Sequence, residues 1–206
     1  MKDKLAPENT LAAFRLGAQH GYRMAECDAK LSADGQVFLL HDDTLDRTTD
    51  GQGIAGHQPW AELSLLDAGS WHSRQYAGER LPTLEGVARS VVLLDGPTGC
   101  NACLLNIEIK PTPGLEEETG RVVAREAARL WADAPIPPLL TSFQPQALAG
   151  AVESAPELPR GLLLETLWDG WLEMAQRMGC VAVVCDQVLW TSEVMATVHG
   201  RQMRAL

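Results

Sequence analysis

Short apolar runs alternate with longer amphipathic segments along most of this chain, and this alternation constrains its fold more than any other feature. Such a pattern is typical of repeated β-α-β units, in which helices cover a parallel sheet. The predicted strands are residues 23–28, 37–41, 104–109, 139–142, 161–164, 181–184 and 203–206. The predicted helices are residues 10–20, 83–92, 116–132, 145–153, 169–178 and 192–199. The sequence therefore predicts an α/β fold built on a parallel sheet.

Composition and charge favour one globular domain and argue against two classes of partner. With 206 residues, of which 46% are hydrophobic and 21% charged, the chain is long and apolar enough to bury one core. The net charge is -10 and no basic run is present, so we expect no nucleic-acid partner. The longest apolar runs are far too short to span a bilayer, so we expect no membrane segment.

The cysteines and the first residues of the chain favour a reduced, cytoplasmic protein. The number of cysteines is odd, at five, and no apolar leader follows Met1. Cys100 and Cys103 form a C-x-x-C pair, which Cys180 and Cys185 could in principle complete to a set of four. Because that spacing is unfavourable for structural zinc, we do not expect a zinc site.

The segment at residues 42–80 interrupts the alternation of strands and helices. Clusters of Asp, Thr and Gly are followed by scattered Trp and Leu residues, and the segment is too long for a plain connector. We interpret it as a functional insertion over one mouth of the sheet. Residues 51–56 have the form G-x-G-x-x-G but lack the flanking strand and helix of a dinucleotide site. The aspartates of the segment do not have the spacing of an EF-hand loop.

Three predicted strands end in charged side chains. Alternate residues of a strand share a face, so Glu26 and Asp28 point one way while their neighbours point the other way. Glu108 and Lys110 share a face of another strand, and His41 ends the strand at 37–41. Because barrel active sites form at the C-terminal ends of strands, we interpret these five residues as one candidate site.

The residue types in this candidate site indicate phosphate-ester chemistry. Grouped carboxylates repel one another and are costly to bury unless a cation neutralises them. Oxygen ligands favour Mg²⁺ or Ca²⁺ over zinc or copper. His41 supplies an acid/base group, and Lys110 supplies a positive charge for an anion.

Structural roles for the same residues stay open at this point. A Glu-x-Asp pair on a strand is often a solvated edge or half of a salt bridge, and a histidine at a strand end is often structural. Lys110 has Glu108 and Glu126 as alternative ion-pair partners. It is the combination of these residues at strand ends that favours a site.

Several stretches of the chain resemble the glycerophosphodiester phosphodiesterases. They are APENTLAAF (6–14), AECDAKLSADGQVFLLHDDTLDRTTDGQG (25–53), LDAGSW (66–71), LPTLEGV (81–87) and NIEIKP (106–111). The later stretches LLTSF (139–143) and LPRGLLLE (158–165) resemble the bacterial cytosolic type that accompanies glycerol-3-phosphate uptake. The resemblance extends over nearly the whole chain, and the E-x-D, H-D-D-x-L-x-R-T and E-I-K-P motifs carry it most specifically.

The resemblance implies a TIM (β/α)₈ barrel of the phospholipase-C-like phosphodiesterase type, with the segment at 42–80 as a small inserted cap. It implies that Glu26, Asp28 and Glu108 are ligands of Mg²⁺ or Ca²⁺. It also implies that His41 is one of two catalytic histidines and that Lys110 contacts the phosphate.

The reaction implied by the resemblance is hydrolysis of a glycerophosphodiester, a small-molecule substrate, to sn-glycerol 3-phosphate and an alcohol, as in glycerophospholipid breakdown. In the family, the glycerol 2-hydroxyl is thought to attack phosphorus first, and water then opens the resulting cyclic phosphate. The metal stabilises the developing charge while the histidines move protons. The leaving alcohol and the oligomeric state are left open.

The connection between the first two predicted strands has two interpretations. Only about eight residues separate Asp28 from the end of the next strand, which is short for a crossover helix. A helix-free parallel return is one alternative. The other is a hairpin that turns at Asp34-Gly35 and sets Asp28 opposite His41.

Two departures from the family pattern concern the ends of the chain. The first barrel strand of the family ends in His-Arg-Gly, whereas residues 1–4 here contain neither His nor Arg, and the chain stops at the start of the eighth strand. We therefore expect a barrel truncated at both ends, which is marginally stable and weakly active or inactive by itself. The alternatives are an enzyme that is intact in a longer product, a pseudoenzyme that binds only metal or phosphate, and a structural fragment that oligomerises through its open edges.

Overall fold

Seven strands form one sheet in the computed structural model of the chain, which describes residues 5–93 and 104–206. They are β1 (Met24–Leu31), β2 (Val37–Leu39), β3 (Leu104–Ile109), β4 (Leu139–Ser142), β5 (Arg160–Leu164), β6 (Ala182–Cys185) and β7 (Arg204–Ala205). Their order across the sheet is β2-β1-β3-β4-β5-β6-β7. All neighbouring strands are parallel except β1 and β2. The predicted α/β fold with a mainly parallel sheet is confirmed.

Helices connect most of these strands. They are α1 (Leu11–Gln19), α2 (Trp60–Leu63), α3 (Leu84–Leu93), α4 (Glu116–Leu130), α5 (Pro145–Ser154), α6 (Trp171–Arg177) and α7 (Ser192–Gly200). The hydrophobic periodicity predicted all of them except α2 to within about two residues at each end. The short helix α2 was not predicted because four residues are too few to show a helical period.

The main core lies between the central strands and the helices packed on their outer face. Leu105, Ile107 and Ile109 alternate along β3 with less buried residues, and they pack with Val123 and Ala127 of α4. The opposite face of β3 is left for polar side chains. The predicted sorting of apolar and charged residues onto two strand faces is therefore confirmed for β3.

Helix α1 packs on this core. Thr10 begins it by accepting a hydrogen bond from the backbone N–H of Ala13, which satisfies one of the free donors at the helix start. Phe14 is buried, Leu11 packs against the same cluster, and the helix contacts α3. The chain therefore reaches β1 from a helix that is fixed on the outside of the sheet.

Strands β1 and β2 form an antiparallel hairpin, which decides between the two connections considered from the sequence. Leu31 is paired with Val37, and the turn between them includes Gly35 at a φ of +82°. Glycine adopts this left-handed conformation without a steric penalty. The alternative of a parallel return is therefore wrong.

The predicted pairing across the hairpin is wrong by one residue. Strand β2 ends at Leu39, and the N–H of Leu40 donates to the carbonyl of Asp28. His41 consequently follows the ladder rather than ending the strand. It stands at the point where the chain leaves the sheet and enters the segment at 42–80.

The segment at 42–80 folds on an apolar cluster of its own beside β2. It contains α2 and two 3₁₀ turns, at Ala55–His57 and Arg74–Tyr76. The buried members of the cluster are Phe38, Leu40, Leu45, Ala55, Leu63, Ala68 and Leu81. This packing gives the segment a defined structure, and its role as a cap over the substrate side stays a prediction.

The edges of the sheet are β2 and β7 in the part of the chain that the structure describes. An apolar groove of about 290 Å³ lies between α1 and β1 and is lined by Phe14, Tyr22 and Met24, among others. Over residues 5–93 and 104–206, no helix combines the length and hydropathy needed to cross a bilayer. Cys180 and Cys185 are free thiols, whereas the C-x-x-C at 100–103 lies outside the described residues.

Candidate active site

Three carboxylates converge where β1 and β3 lie side by side. Glu26 and Asp28 share a face of β1 because they are two positions apart in the strand. The parallel register pairs Asp28 with Glu108 of β3. A carboxylate oxygen from each of the three residues lies within 4.8 Å of the other two. The structure thus brings together all three predicted metal ligands.

The electrostatics of this cluster show that it is short of positive charge. Burial of the carboxyl group, and then the nearby charges of Asp28 and Glu108, raise the pKa of Glu26 to about 8. Taken as a whole residue, Glu26 is nevertheless the most exposed of the three. Burial also raises the pKa of Glu108, against the opposing effect of Lys110.

Asn9 holds Asp28 in place from the loop before α1. Its side-chain amide donates to Asp28 Oδ2 at 2.7 Å, and its oxygen accepts the backbone N–H of Asp28 at 3.0 Å. Asn9 has a φ of 54°, a left-handed conformation that asparagine tolerates better than most residues. Asn9 was not among the predicted site residues, and its place in the A-P-E-N-T stretch was the available signal for this role.

The surroundings of one Glu108 oxygen indicate that the three carboxylates can bind a hard cation. Glu108 Oε1 is shielded from solvent and makes an ion pair with Lys110 Nζ at 2.7 Å. Within the described residues it nevertheless has no hydrogen bond of acceptable direction. A divalent cation has no directional donor to align, and it prefers carboxylate oxygen ligands. Glu26, Asp28 and Glu108 therefore fit Mg²⁺ or Ca²⁺.

Lys110 stands between the acidic cluster and His41. Its Nζ lies 2.7 Å from Glu108 Oε1 and 3.7 Å from Asp28 Oδ1. The same atom lies 3.3 Å from His41 Nε2 and 5.6 Å from the centre of the Phe143 ring. One lysine thus connects two of the three carboxylates with the predicted acid/base group. Its pairing with Glu108 is one of the two ion pairs that the sequence left open.

The second nitrogen of His41 contacts a carboxylate that is itself held by an arginine. His41 Nδ1 lies 2.9 Å from Asp42 Oδ1, and Arg47 Nε donates to Asp42 Oδ2 at 2.6 Å. Arg47 also reaches Glu8. The hydrogen bonds from Arg47 hold the pKa of Asp42 well below its usual range. The ionised Asp42 can only accept a hydrogen bond from Nδ1, and the ammonium of Lys110 can only donate one to Nε2. We therefore assign the proton of a neutral His41 ring to Nδ1.

Asp42 and Arg47 were not among the predicted site residues. Both lie in the H-D-D-x-L-x-R-T motif, five residues apart, and only the fold of the 42–80 segment brings the guanidinium back onto the carboxylate. Their adjacency to His41 in the motif was the signal that would have identified them.

A cavity of about 650 Å³ opens in front of these groups. Its lining combines His41, Lys110 and Glu108 with Phe143, which follows β4, and Glu165, which follows β5. Phe143 exposes about a third of its surface there, at 37%. The cavity is large enough for a phosphodiester of glycerol, and cationic, acidic and aromatic groups line it.

Comparisons with known proteins point to one family. A sequence profile of the Glycerophosphoryl diester phosphodiesterase family matches residues 2–201. A glycerophosphodiester phosphodiesterase of Caldanaerobacter subterraneus is 34% identical over 180 residues, which are 85% of this chain and 68% of the relative. The Bacillus subtilis protein YhdW is 36% identical over 161 residues, which are 77% of this chain and 60% of the relative.

Among solved structures, a phosphodiesterase of Oleispira antarctica in complex with the product sn-glycerol-3-phosphate superposes with a TM-score of 0.86 and 33% identity. The match covers 97% of this chain and 78% of that one. This chain thus spans 60% of the length of the Bacillus relative and 68% of the Caldanaerobacter one. Because the profile match extends over almost every residue, the chain belongs to the glycerophosphodiester phosphodiesterase family that its motifs resemble.

Proposed function

We propose that this protein hydrolyses glycerophosphodiesters to sn-glycerol 3-phosphate and an alcohol, with Mg²⁺ or Ca²⁺ as cofactor. The observation that carries the proposal is the contact of the three-carboxylate cluster with Lys110, and of Lys110 with His41. Membership of the family supports the reaction class, and the Oleispira relative was solved with sn-glycerol-3-phosphate. Because deacylation of glycerophospholipids yields glycerophosphodiesters, the proposed role lies in glycerophospholipid breakdown.

Glu26, Asp28 and Glu108 are the residues that would hold the cation. When bound, a divalent cation stabilises negative charge on the phosphoryl oxygens. The chain contributes the position of the ligands: the β1–β3 register sets Asp28 opposite Glu108, and Asn9 fixes the Asp28 carboxylate. An oxygen-only set of this kind accepts either Mg²⁺ or Ca²⁺.

His41 is the proposed proton-transfer group. With its own proton on Nδ1 and directed at Asp42, the ring presents an unprotonated Nε2 to the site. Nε2 would take the proton of the hydroxyl that attacks phosphorus, and the Asp42 carboxylate would stabilise the imidazolium that forms. Lys110, which lies 3.3 Å from Nε2, would place its charge next to the phosphoryl oxygens at the same step.

One observation favours a second candidate function, the binding of metal and phosphate without turnover. Among the described residues that line the cavity, His41 is the single histidine. Cleavage of a phosphodiester needs a proton acceptor for the nucleophile and a proton donor for the leaving alcohol. A site in which His41 alone transferred protons would bind its ligand and turn it over slowly or not at all.

Phosphorus NMR of glycerophosphocholine incubated with the purified chain separates the two functions. The enzyme hypothesis predicts a new signal of sn-glycerol 3-phosphate with Mg²⁺ or Ca²⁺ and no such signal with EDTA. The binding hypothesis predicts no product, although calorimetry detects metal-dependent binding of sn-glycerol 3-phosphate. Product formation that EDTA leaves unchanged would contradict the proposed metal dependence.

We infer a cytoplasmic location from the state of the cysteines. Cys27, Cys180 and Cys185 are free thiols, and a reducing compartment preserves such groups. Fractionation of the source cells, with detection by an antibody against the chain, tests this inference. Recovery from the periplasm or the medium would contradict it.

A further inference from the structure

Lys30 is a completely buried lysine that the proposed mechanism does not use. It lies on β1, two residues beyond Asp28, and exposes 1% of its surface. Because lysine is almost never fully buried without a partner, its environment needs an explanation. The alternation of β1 places Lys30 on the same face as Glu26 and Asp28, the face that carries the candidate site.

The Nζ atom of Lys30 connects two segments that hold site residues. It donates to Asp43 Oδ1 at 2.9 Å and to the backbone carbonyl of Lys110 at 3.3 Å. Asp43 follows His41 by two positions in the chain, and its carbonyl accepts the N–H of Ala55. Lys30 therefore connects the first turn after β2 with the end of β3.

We propose that Lys30 is a positioning residue that sets the separation of His41 and Lys110. The 3.3 Å distance between His41 Nε2 and Lys110 Nζ depends on two backbone segments that belong to different elements. Lys30 is bonded to both segments, and two residues of extended chain span only about 7 Å, so Asp43 cannot move far without His41. This inference rests on the proposed function, because the geometry of these two groups matters for phosphodiester cleavage.

The exposure of Asp43 explains why a charged donor holds it better than a neutral one. The Asp43 side chain is 60% exposed, so a neutral donor in place of the ammonium would compete poorly with water for its carboxylate. A buried ammonium forms a charge-assisted hydrogen bond, which is about twice as strong as a neutral one. Lys30 thereby holds an exposed residue that lines the cavity.

Arg160 provides a matched control at the opposite end of the sheet. It is also buried, at 7% exposure, and it donates to the backbone carbonyls of Leu158 and Met178. It begins β5, however, and contacts none of the candidate site residues. Arg160→Met should therefore report the loss of stability that follows from removing any buried cation. It should leave the geometry of the candidate site unchanged.

The experiment compares Lys30→Met, Lys30→Gln and Asp43→Asn with Arg160→Met in the 206-residue chain. For glycerophosphocholine hydrolysis, Lys30→Met should lower kcat about 10- to 100-fold with a change in KM below about threefold, because misplacement of reacting groups costs that much. Lys30→Gln keeps an N–H donor and should recover part of the loss, and Asp43→Asn should be intermediate. Arg160→Met should lower the melting temperature and leave kcat near that of the wild type.

A readout independent of turnover keeps this inference separate from the proposed function. In ¹H–¹⁵N spectra, Lys30→Met should shift the backbone amide signals of His41 and Lys110, whereas Arg160→Met should not. If the wild type shows no hydrolysis, the proposed function fails, and these spectra still decide the positioning role. Unchanged signals of His41 and Lys110 in a folded Lys30→Met variant, or a kcat equal to that of the wild type, would overturn the proposal.

Discussion

The tautomer of the neutral His41 ring depends on the two groups that contact it. Asp42 lies 2.9 Å from Nδ1, and Lys110 lies 3.3 Å from Nε2. Arg47 keeps Asp42 ionised, since its hydrogen bonds hold the pKa of that carboxyl well below the usual range. A ring with its proton on Nδ1 is the form that accepts a proton at Nε2. Asp42 should therefore affect the rate through the tautomer of its neighbour.

Replacement of Asp42 by Asn tests this role. An amide at this position can donate to Nδ1 and favour the wrong tautomer, so we expect kcat to fall about 10²- to 10⁴-fold, with a smaller change in KM. Steady-state hydrolysis of glycerophosphocholine measures both constants. Asp133→Asn, at an exposed position after α4, is the control and should be neutral. A loss below about threefold in Asp42→Asn would show that the contact has no catalytic role.

The raised pKa of Glu26 gives a second prediction at the residue scale. With the pKa raised from 4.5 to about 8, metal-free folded protein holds a proton that the unfolded chain releases. Stability therefore falls as pH rises between these values, and the loss is complete above about pH 8. In urea unfolding with EDTA from pH 5 to 9, Glu26→Gln should become progressively more stable than the wild type. A constant difference across this range would contradict the assignment, and Glu157→Gln is the exposed control.

At the scale of elements, the paired strands β1 and β3 form the base on which the site is built. Period-two alternation was enough to predict that Glu26 and Asp28 share one face of β1 and that Glu108 and Lys110 share one face of another strand, since alternation depends only on local backbone geometry. The pairing of β1 with β3 then brings the three carboxylates together. The spacing of residues 28 and 41 was also enough to suggest a hairpin. Regular elements thus made the acidic half of the site predictable.

The contacts that Asn9 and Arg47 make with the site could not be predicted from periodicity, because irregular segments supply these two residues. Asn9 reaches Asp28 from a loop, and Arg47 reaches Asp42 from within the 42–80 segment. Neither contact follows a period, and each depends on how a loop packs on the sheet. Lys30 was overlooked for a different reason: its position on the site face of β1 was readable, but its partner Asp43 was not.

Helices α4 and α5 pack closely enough that glycine is required between them. A Cβ added to Gly150 would lie 2.0 Å from the carbonyl oxygen of Glu117. Glycine to alanine inside a helix ordinarily stabilises by about 0.5–1 kcal/mol, but overpacking here should destabilise by about 1–3 kcal/mol. Urea unfolding of Gly150→Ala measures the change. Gly200→Ala, which meets no atom within 4 Å, is the control, and a stabilised Gly150→Ala would contradict the helix contact.

At the scale of the whole molecule, a buried apolar core supports a candidate site in which three carboxylates lie close together. The chain carries a net charge of -10, and the raised pKa values of Glu26 and Glu108 show that the folded state tolerates this cluster at a cost. A cation that binds only the folded state offsets that cost by mass action. Fold stability and the proposed activity should therefore depend on the same ion.

Thermal unfolding tests this link. Ca²⁺ at about 100 times its dissociation constant should add about 2.7 kcal/mol, which corresponds to a rise in melting temperature of roughly 5–10 °C for a domain of this size. EDTA should reverse the rise, and Glu108→Gln should abolish it while leaving the metal-free protein folded. An equal rise in wild type and Glu108→Gln would locate the stabilising ion elsewhere.

The position of the ion itself is the most direct test of the proposed metal centre. Anomalous diffraction from crystals soaked in Mn²⁺, which shares the oxygen ligands of Mg²⁺ and Ca²⁺, locates the ion independently of any turnover. We expect one strong peak at about 2.0–2.6 Å from an oxygen of each of Glu26, Asp28 and Glu108. A fully soaked crystal with no peak between these three carboxylates, or with its strongest peak elsewhere, would contradict the proposal.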